Sequence, residues 1–320
     1  MRIYLPYAIG VPYRLNTKNC ILPKMDGPNW NKIFDNKKLI LVNYGGFFEN
    51  LCATMILEAI SIIRPSYEVE WLVSPFMRDI WKINGLGKES TSEITQEDLN
   101  QHPAPVFFNK EQTIVYMNSL YNYRKTHTYL GKSVGPDNRP AVGQAFRNIM
   151  IKWDRRYLPK MRNLRRPENL LQLAKMGRFD LNKPYILLCP DVSGLSENPE
   201  VGLNWTVNDV KSFAAMVRNT KYNLVIASSF PQKYYGIRAL IVSCQIEMML
   251  YLISNCSVIL SRDVDFFSSA VLLGKAKVMS LYLKRNAFKV QKMIKYTSAN
   301  NEYYTKYRKL TPFDVFERLP

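Results

Sequence analysis

One stretch, residues 39–65, constrains most strongly what this chain can fold into. It begins with the apolar run LILV, which has the length and composition of a strand buried in a parallel sheet. The pair Gly45-Gly46 follows, and then an apolar-rich segment of helical length at 51–63. Strand, glycine turn and helix form the opening of a βαβ unit. Glu49 is expected where the turn becomes the helix, at the sheet edge where such folds bind ligands.

The same alternation of strands and helices runs through both halves of the chain. Further strands are predicted at 68–73, 105–108, 113–117, 185–189, 223–228, 257–260 and 277–283. Helices are predicted at 74–83, 144–158, 206–218, 247–254, from after 265 to 273, and at 311–319. The pattern predicts an α/β protein with two Rossmann-like domains, residues 1–165 and 184–320, joined by a linker at 166–183.

Composition and motifs exclude several classes of protein. The chain has 320 residues and is 47% hydrophobic, which is enough to form two cores. It lacks the glycine-rich nucleotide motifs, the G-x-S-x-G elbow and H-E-x-x-H, which argues against a nucleotide-fuelled motor, a serine hydrolase and a zinc protease. Five scattered cysteines and two histidines predict neither a zinc site nor a disulfide framework, and favour a reducing, cytoplasmic compartment. No apolar run approaches the length of a transmembrane helix.

A large positive charge is the strongest compositional feature. Lys and Arg number 44 against 26 Asp and Glu, a net charge of +18, which favours a polyanionic partner such as nucleic acid, phosphorylated glycolipid or an anionic membrane. Residues 152–166 hold seven cations and one acid, and residues 284–309 hold eight and one. The residues predicted to contact a nucleic-acid acceptor are Arg124, Lys125, Arg155, Arg156, Arg162 and Arg165. The alternative is that these cations lie on ordinary solvated faces.

Two stretches resemble the heptosyltransferase-like glycosyltransferases. Residues 39–76 are similar to that family's opening, in which a strand leads to a G-x-L-G-D loop, a helix and a P-x-x-x-I-x-W-L-V strand. Residues 246–281 are similar to its donor motif, in which a strand leads to D-T-G-x-x-H, a helix and G-K-P. The resemblance implies a GT-B fold, with two Rossmann-like domains facing each other across a cleft. It also implies inverting, metal-independent transfer from a UDP- or ADP-sugar, with the acceptor on the N-terminal domain and the donor on the C-terminal one.

The resemblance assigns Glu49 as the catalytic residue. The family's catalytic aspartate falls on this position, where a carboxylate would take the proton from the acceptor hydroxyl. Gly45 and Gly46 would then let the acceptor approach the backbone. The alternative is that Glu49 only stabilises the N-terminus of its helix, where negative charge is favoured.

The donor motif departs from the family pattern. Asp263 falls on the family's aspartate, but Val264 and Asp265 replace its Thr and Gly, and Ser268 replaces its His. Ser268 and Ser269 are still expected to meet a diphosphate at a helix N-terminus. The D-V-D sequence also resembles a metal motif of the other large glycosyltransferase fold, so a divalent metal is a less favoured alternative.

Two loops complete the expected donor site. The loop after residue 189 carries Ser193, Ser196 and Asn204, and the family uses this loop to face the donor phosphates. Lys233 follows the strand at 223–228 and is expected to reach nucleotide or phosphate.

Three interpretations of the function are compatible with the sequence: two differ in the acceptor and the third has no catalysis. The charge and aromatic pattern resembles phage-type enzymes that add a sugar to hydroxymethylated pyrimidines in DNA, which would place the protein in the host cytoplasm. The family resemblance itself favours the alternative, a lipopolysaccharide-core glycosyltransferase. The altered donor motif permits a third, a non-catalytic nucleic-acid-binding protein on a decayed transferase scaffold.

Overall fold

A computed structural model of the protein describes part of the chain. The described residues are 38–43, 47–73, 75–90, 106–108, 113–116, 154–191, 205–273, 277–280, 303–304 and 311–320. Most of the helix predicted at 144–158 and nearly all of the basic segment 284–309 lie outside them.

The first sheet has five strands in the order β3-β2-β1-β5-β4. Their bounds are β1 Lys38–Asn43, β2 Glu68–Val73, β3 Lys88–Glu89, β4 Val106–Phe108 and β5 Thr113–Tyr116. All neighbours are parallel except β4, which runs antiparallel to β5 at the sheet edge. Helix α1 (Phe47–Ile63) joins β1 to β2, and α2 (Arg78–Asn84) follows a 3-10 turn at Pro75–Met77. The predicted βαβ opening is confirmed.

The second sheet has six parallel strands in the order β11-β10-β9-β6-β7-β8. Their bounds are β6 Tyr185–Cys189, β7 Asn223–Ser228, β8 Leu240–Ser243, β9 Val258–Ser261, β10 Lys277–Ser280 and β11 Tyr303–Tyr304. The helices of this half are α3 Glu168–Met176, α4 Val207–Val217, α5 Ile246–Asn255, α6 Val264–Leu273 and α7 Pro312–Phe316, with 3-10 turns at Arg155–Tyr157 and Pro231–Tyr234. None of the helices in the described ranges is both long and apolar enough to cross a bilayer.

Local sequence explains where several helices begin and end. Thr206 and Thr311 each form a capping box, in which the threonine hydroxyl accepts from the amide three residues on and an aspartate carboxylate bonds back. Gly85 ends α2 with φ 79°, in the left-handed region that glycine tolerates best. Both features match the predicted boundaries.

The two sheets share one hydrophobic core. A single cluster of buried side chains runs from α1 and α2 of the first half to α5, α6 and one face of the second sheet. Trp81 of α2, fully buried, donates its indole N–H to Asn50 of α1 at 2.8 Å. A second cluster fills the opposite face of the second sheet, beneath α4 and α7. The helices of the two halves therefore pack against each other directly.

Some elements were not predicted from the sequence. Helix α3 occupies the middle of the stretch interpreted as a linker, and it buries Leu170 and Ala174 in the shared core. Strand β8 extends the second sheet beyond β7, with Val225 opposite Leu240.

Candidate active site at the carboxyl edge of the second sheet

Polar side chains collect where the central strands of the second sheet end. Asp191 lies two residues beyond β6, Ser228 is the last residue of β7, and Arg262 directly follows β9. Because these strands are parallel, their carboxyl ends meet at one edge, the usual place for ligands in open α/β sheets.

Asp191 is held by two hydroxyl groups. Ser228 donates its Oγ–H to Oδ2 of Asp191 at 2.6 Å, and the Tyr234 hydroxyl lies 3.0 Å from the same oxygen. Burial raises the pKa of Tyr234 above its ordinary value, and the neighbouring Asp191 carboxylate raises it further. Tyr234 therefore remains a protonated donor, which fixes the orientation of the carboxylate.

Arg262 places a positive charge at the same edge. Its backbone N–H donates to the carbonyl of Cys189 at 2.9 Å, which ties the residue to β6. Its positive charge opposes the rise in the pKa of Tyr234. The Nε atom is buried and has no hydrogen-bond partner in the described part of the protein. A buried donor of this kind is costly unless something accepts from it.

Asp263 is fully buried at the N-terminus of α6. Its Oδ1 accepts from the amide of Phe266 at 3.3 Å, as an N-cap does, and its carbonyl accepts from Ser261 Oγ at 2.9 Å. The residue shapes the turn between β9 and α6. Asp265, two residues further on, lies in α6, and the described ranges contain no group of three His, Cys, Asp or Glu side chains placed to hold a metal ion.

The two expected donor serines lie further along the same helix. Ser269 is fully buried in the second turn of α6, and its Oγ has no partner among the described residues. This position is inside the core, one turn beyond the helix N-terminus where the sequence predicted a diphosphate contact. Ser268 also lies in α6, but its side chain is outside the described part, as are Ser193, Ser196 and Asn204.

Lys233 lies close to the carboxyl end of β7. It is exposed, in the 3-10 turn that also carries Tyr234, and its Nζ lies 4.4 Å from the centre of the Phe230 ring. The stacked lysine therefore remains accessible to an anion at this edge.

The contact between α1 and α6 brings the two acidic positions of the sequence together. Phe47 and Phe266 are both fully buried and meet edge to face, with ring centroids 5.3 Å apart. Glu49 lies in the first turn of α1, two residues after Phe47, and Asp263 caps the helix that carries Phe266. The backbone positions of Glu49 and Asp263 thus lie at the N-termini of two helices in contact; the Glu49 side chain and Gly45-Gly46 are outside the described part.

Two of the basic residues predicted to contact nucleic acid pair with acidic side chains of the chain itself. Arg162 forms a two-pronged ion pair with the fully buried carboxylate of Glu58, and that hydrogen bond raises the pKa of Arg162. Arg156 pairs with Asp154 at 2.9 Å and remains exposed. Arg162 thus pairs with a buried carboxylate of α1, whereas the sequence predicted a phosphate as its partner.

Of the other four predicted cations, only Arg165 has a side chain in the described part of the structure. Arg165 is exposed, whereas the side chain of Arg155 lies outside the described part, as do Arg124 and Lys125 entirely.

Comparison with known proteins identifies solved structures with a similar fold. No protein-family model matches the sequence, and no curated protein matches it. Among solved structures, E. coli heptosyltransferase WaaC with ADP is similar at a TM-score of 0.54 and 9% identity, covering 88% of this chain and 98% of that chain. The glycosyl transferase family 9 protein of Veillonella parvula is similar at 0.54 and 10% identity, covering 85% of this chain and 86% of that one. The chain has the GT-B fold. The low identities mean that the likeness concerns the course of the backbone.

Sequence reasoning missed three residues of this site. Asp191, Tyr234 and Arg262 were not singled out, although each follows the end of a predicted strand within a few residues. That position is itself a signal in a parallel sheet. None of the three residues belongs to the family motifs, so the resemblance did not identify them.

Proposed function

We propose that the protein is an inverting glycosyltransferase that moves a sugar from a nucleotide-sugar donor to an acceptor hydroxyl. The observation that carries this proposal is the packing of Phe47 on Phe266 within a GT-B fold. This contact sets the first turn of α1, which carries Glu49, beside the carboxyl edge of the second sheet.

The donor fits this edge on electrostatic grounds. The N-terminus of a helix carries partial positive charge and free backbone N–H groups, which suit a diphosphate. Here Arg262 lies just before the N-terminus of α6, and the first turn of α1 packs on α6 through Phe47 and Phe266. Arg262 would donate hydrogen bonds from its guanidinium group to the diphosphate, a role for which Lys233, Ser193, Ser196 and Ser268 remain further candidates. One similar structure, E. coli heptosyltransferase WaaC, holds ADP, so ADP-sugars are the first donors to test and UDP-sugars the second.

Glu49 acts as the general base in this scheme. Its carboxylate takes the proton of the acceptor hydroxyl as that oxygen forms a bond to the anomeric carbon. The bond from the anomeric carbon to the phosphate oxygen breaks, and the nucleoside diphosphate leaves with the electron pair. A single displacement of this kind inverts the anomeric configuration. Positive charge from Arg262 and the helix termini offsets the charge that develops on the leaving group.

For the acceptor we favour a phosphorylated glycolipid over DNA. Similar structures include heptosyltransferases, and a net charge of +18 suits an anionic acceptor of either kind. Arg162 and Arg156, two of the six cations expected to follow a DNA backbone, are engaged by carboxylates of the chain itself. Transfer to hydroxymethylated pyrimidines in phage DNA stays a prediction. The proposed compartment is the cytoplasm, since Cys189, Cys244 and Cys256 are free thiols.

The test is transfer of labelled sugar from a panel of ADP- and UDP-sugars. Acceptors are core-truncated lipopolysaccharide and duplex DNA that contains hydroxymethylcytosine. Glu49→Gln should lower kcat by about 100-fold or more, because the amide cannot take a proton. Glu68→Gln, at an exposed glutamate that begins β2, is the matched control and should retain full activity.

Three outcomes separate the alternatives. Transfer to DNA alone would replace the glycolipid with the DNA acceptor. Full activity of Glu49→Gln would remove the catalytic assignment. Binding of DNA without turnover of any donor would favour the decayed scaffold.

A further inference from the structure

A groove of about 450 Å³ lies on the second half, away from the candidate active site. Its cationic lining comes from Lys211 and Arg218 on one side and Arg238 on the other. Lys211 projects from α4, Arg218 directly follows that helix, and Arg238 precedes β8 by two residues. We call this feature the basic groove.

Small residues leave the basic groove open. Ala214 and Ala215 of α4 and Gly236 of the facing segment also line it. Gly236 has φ +84°, and a Cβ placed there would meet no atom within 4 Å. The open space between the cations is therefore a consequence of short side chains on both walls.

The three cations are free to meet an anion. All three are exposed, and no carboxylate within the described ranges forms an ion pair with any of them. A cation near the C-terminus of a helix is stabilised by the helix dipole, which accounts for Arg218. That effect does not account for Arg238, which approaches from another segment of the chain. Cations that line one groove repel each other, and an anion between them relieves that cost.

The chemistry of the lining favours phosphate. Two guanidinium groups offer paired N–H donors that match phosphate oxygens, and the lysine adds a point charge. No aromatic ring lines the groove among the described residues, so it offers no platform on which a nucleobase could stack. The ligand class that fits is a phosphate ester recognised through its phosphate.

The basic groove is separate from the donor site. Arg218 and Arg238 lie near the amino ends of β7 and β8, whereas Asp191 and Ser228 lie at the carboxyl edge. The six residues of β7 separate the two edges by roughly 20 Å. One diphosphate cannot occupy both places.

We propose that the basic groove is a second anion site, which binds a phosphate ester outside the transfer site. The phosphate is either that of a free phosphorylated compound or one displayed on a lipid surface. This inference does not depend on the proposed transferase activity, because it concerns binding at the opposite edge of the sheet.

The experiment measures binding of inorganic pyrophosphate to the full-length protein by calorimetry, in the presence of saturating ADP. Lys211→Ala with Arg238→Ala should weaken binding about tenfold or more, because charge-assisted hydrogen bonds are lost. Ala215→Leu should weaken it comparably without changing any charge, because the side chain fills the groove. Lys183→Ala removes an exposed cation elsewhere on the same half and should leave affinity within twofold. Circular dichroism confirms that each variant is folded.

Cosedimentation with phosphatidylglycerol vesicles distinguishes the sources. If the groove variants lose both vesicle binding and pyrophosphate binding, the natural ligand is a lipid phosphate. If they lose pyrophosphate binding but still bind vesicles, the natural ligand is a free phosphate ester. The proposal is overturned if Ala215→Leu binds pyrophosphate as the unmodified protein does. It is equally overturned if Lys183→Ala weakens binding as much as the groove variants, since binding would then follow net charge alone.

Discussion

Phe47 and Phe266 meet edge to face across the two halves of the chain, with their ring planes at 89°. Phe47 is the first residue of α1, which follows a strand of the first sheet, and Phe266 lies in the first turn of α6, which follows a strand of the second sheet. The pair therefore couples the position of Glu49 to the carboxyl edge of the second sheet, and its removal should affect stability and transfer together.

The coupling of this pair can be measured by a double-mutant cycle. Phe47→Ala and Phe266→Ala should each cost about 3–5 kcal/mol, because both rings are fully buried. The interaction of the rings should appear as a coupling of about 1 kcal/mol in urea unfolding. Phe313→Ala, at a ring that is 60% exposed, is the control and should change stability little. Strictly additive single effects would show that the rings do not interact.

The Tyr234–Asp191 hydrogen bond should matter for donor binding. Tyr234→Phe leaves Asp191 with the Ser228 hydroxyl but loses one donor, which should cost about 1 kcal/mol of stability. The reoriented carboxylate at the donor edge should also weaken ADP binding, measured by calorimetry. Tyr235→Phe, at the exposed neighbour, should change neither quantity. Equal effects of the two substitutions would contradict the role given to the hydrogen bond.

The protein should lose less stability when Glu58 and Arg162 are both replaced by apolar residues than when Arg162 alone is removed. Among the described residues, Arg162→Ala leaves the fully buried carboxylate of Glu58 with Asn84 and, at 3.7 Å, Lys160, and should destabilise the protein by about 3 kcal/mol. Glu58→Met combined with Arg162→Met should recover much of that loss, because no buried charge remains. Urea unfolding measures both. If Arg162→Ala is harmless while DNA binding collapses, the arginine serves an acceptor and not the core.

Two free thiols, the partly buried Cys244 and the buried Cys256, should resist alkylation. Burial raises the pKa of Cys244 to about 12 and that of Cys256 to about 12, so both remain thiols at pH 8. Iodoacetamide followed by mass spectrometry should leave them unmodified in the folded protein and modify them in urea.

The raised pKa values of these thiols also predict how the stability of the protein changes at alkaline pH. Because the pKa of Cys244 is higher in the folded than in the unfolded protein, this thiol contributes to the free energy of unfolding fully below pH 9. That contribution declines as the pH rises towards 12. Cys244→Ser should flatten this decline, while rapid alkylation of native Cys244 would show that the site is accessible.

The sequence predicted the βα units well, and its failures have physical reasons. Strands such as β6, with five buried apolar residues, carry a strong local signal. Strands β8 and β11 have four and two residues, and they are strands because a neighbour pairs with them. Helix α3 had local signals, Pro167 before it and Gly177 after it, but its position between two β/α halves favoured a linker.

The candidate site was predictable only in part. Motif resemblance found Asp263, yet a motif does not reveal burial, so its role as a helix cap emerged from the structure. The contact of Arg162 with Glu58 joins residues 104 apart in sequence, and no local pattern encodes it.

The shared core has a consequence for how this protein can be altered. Since α1 and α2 bury their apolar faces against α5 and α6, cutting the chain between its two sheets would expose that surface on both fragments. The two halves therefore cannot be exchanged independently. A chimera that takes one half from another GT-B protein would need complementary apolar side chains where α1 and α2 pack against α5 and α6. Changes of donor are better sought by replacing residues at the sheet edge than by exchanging a domain.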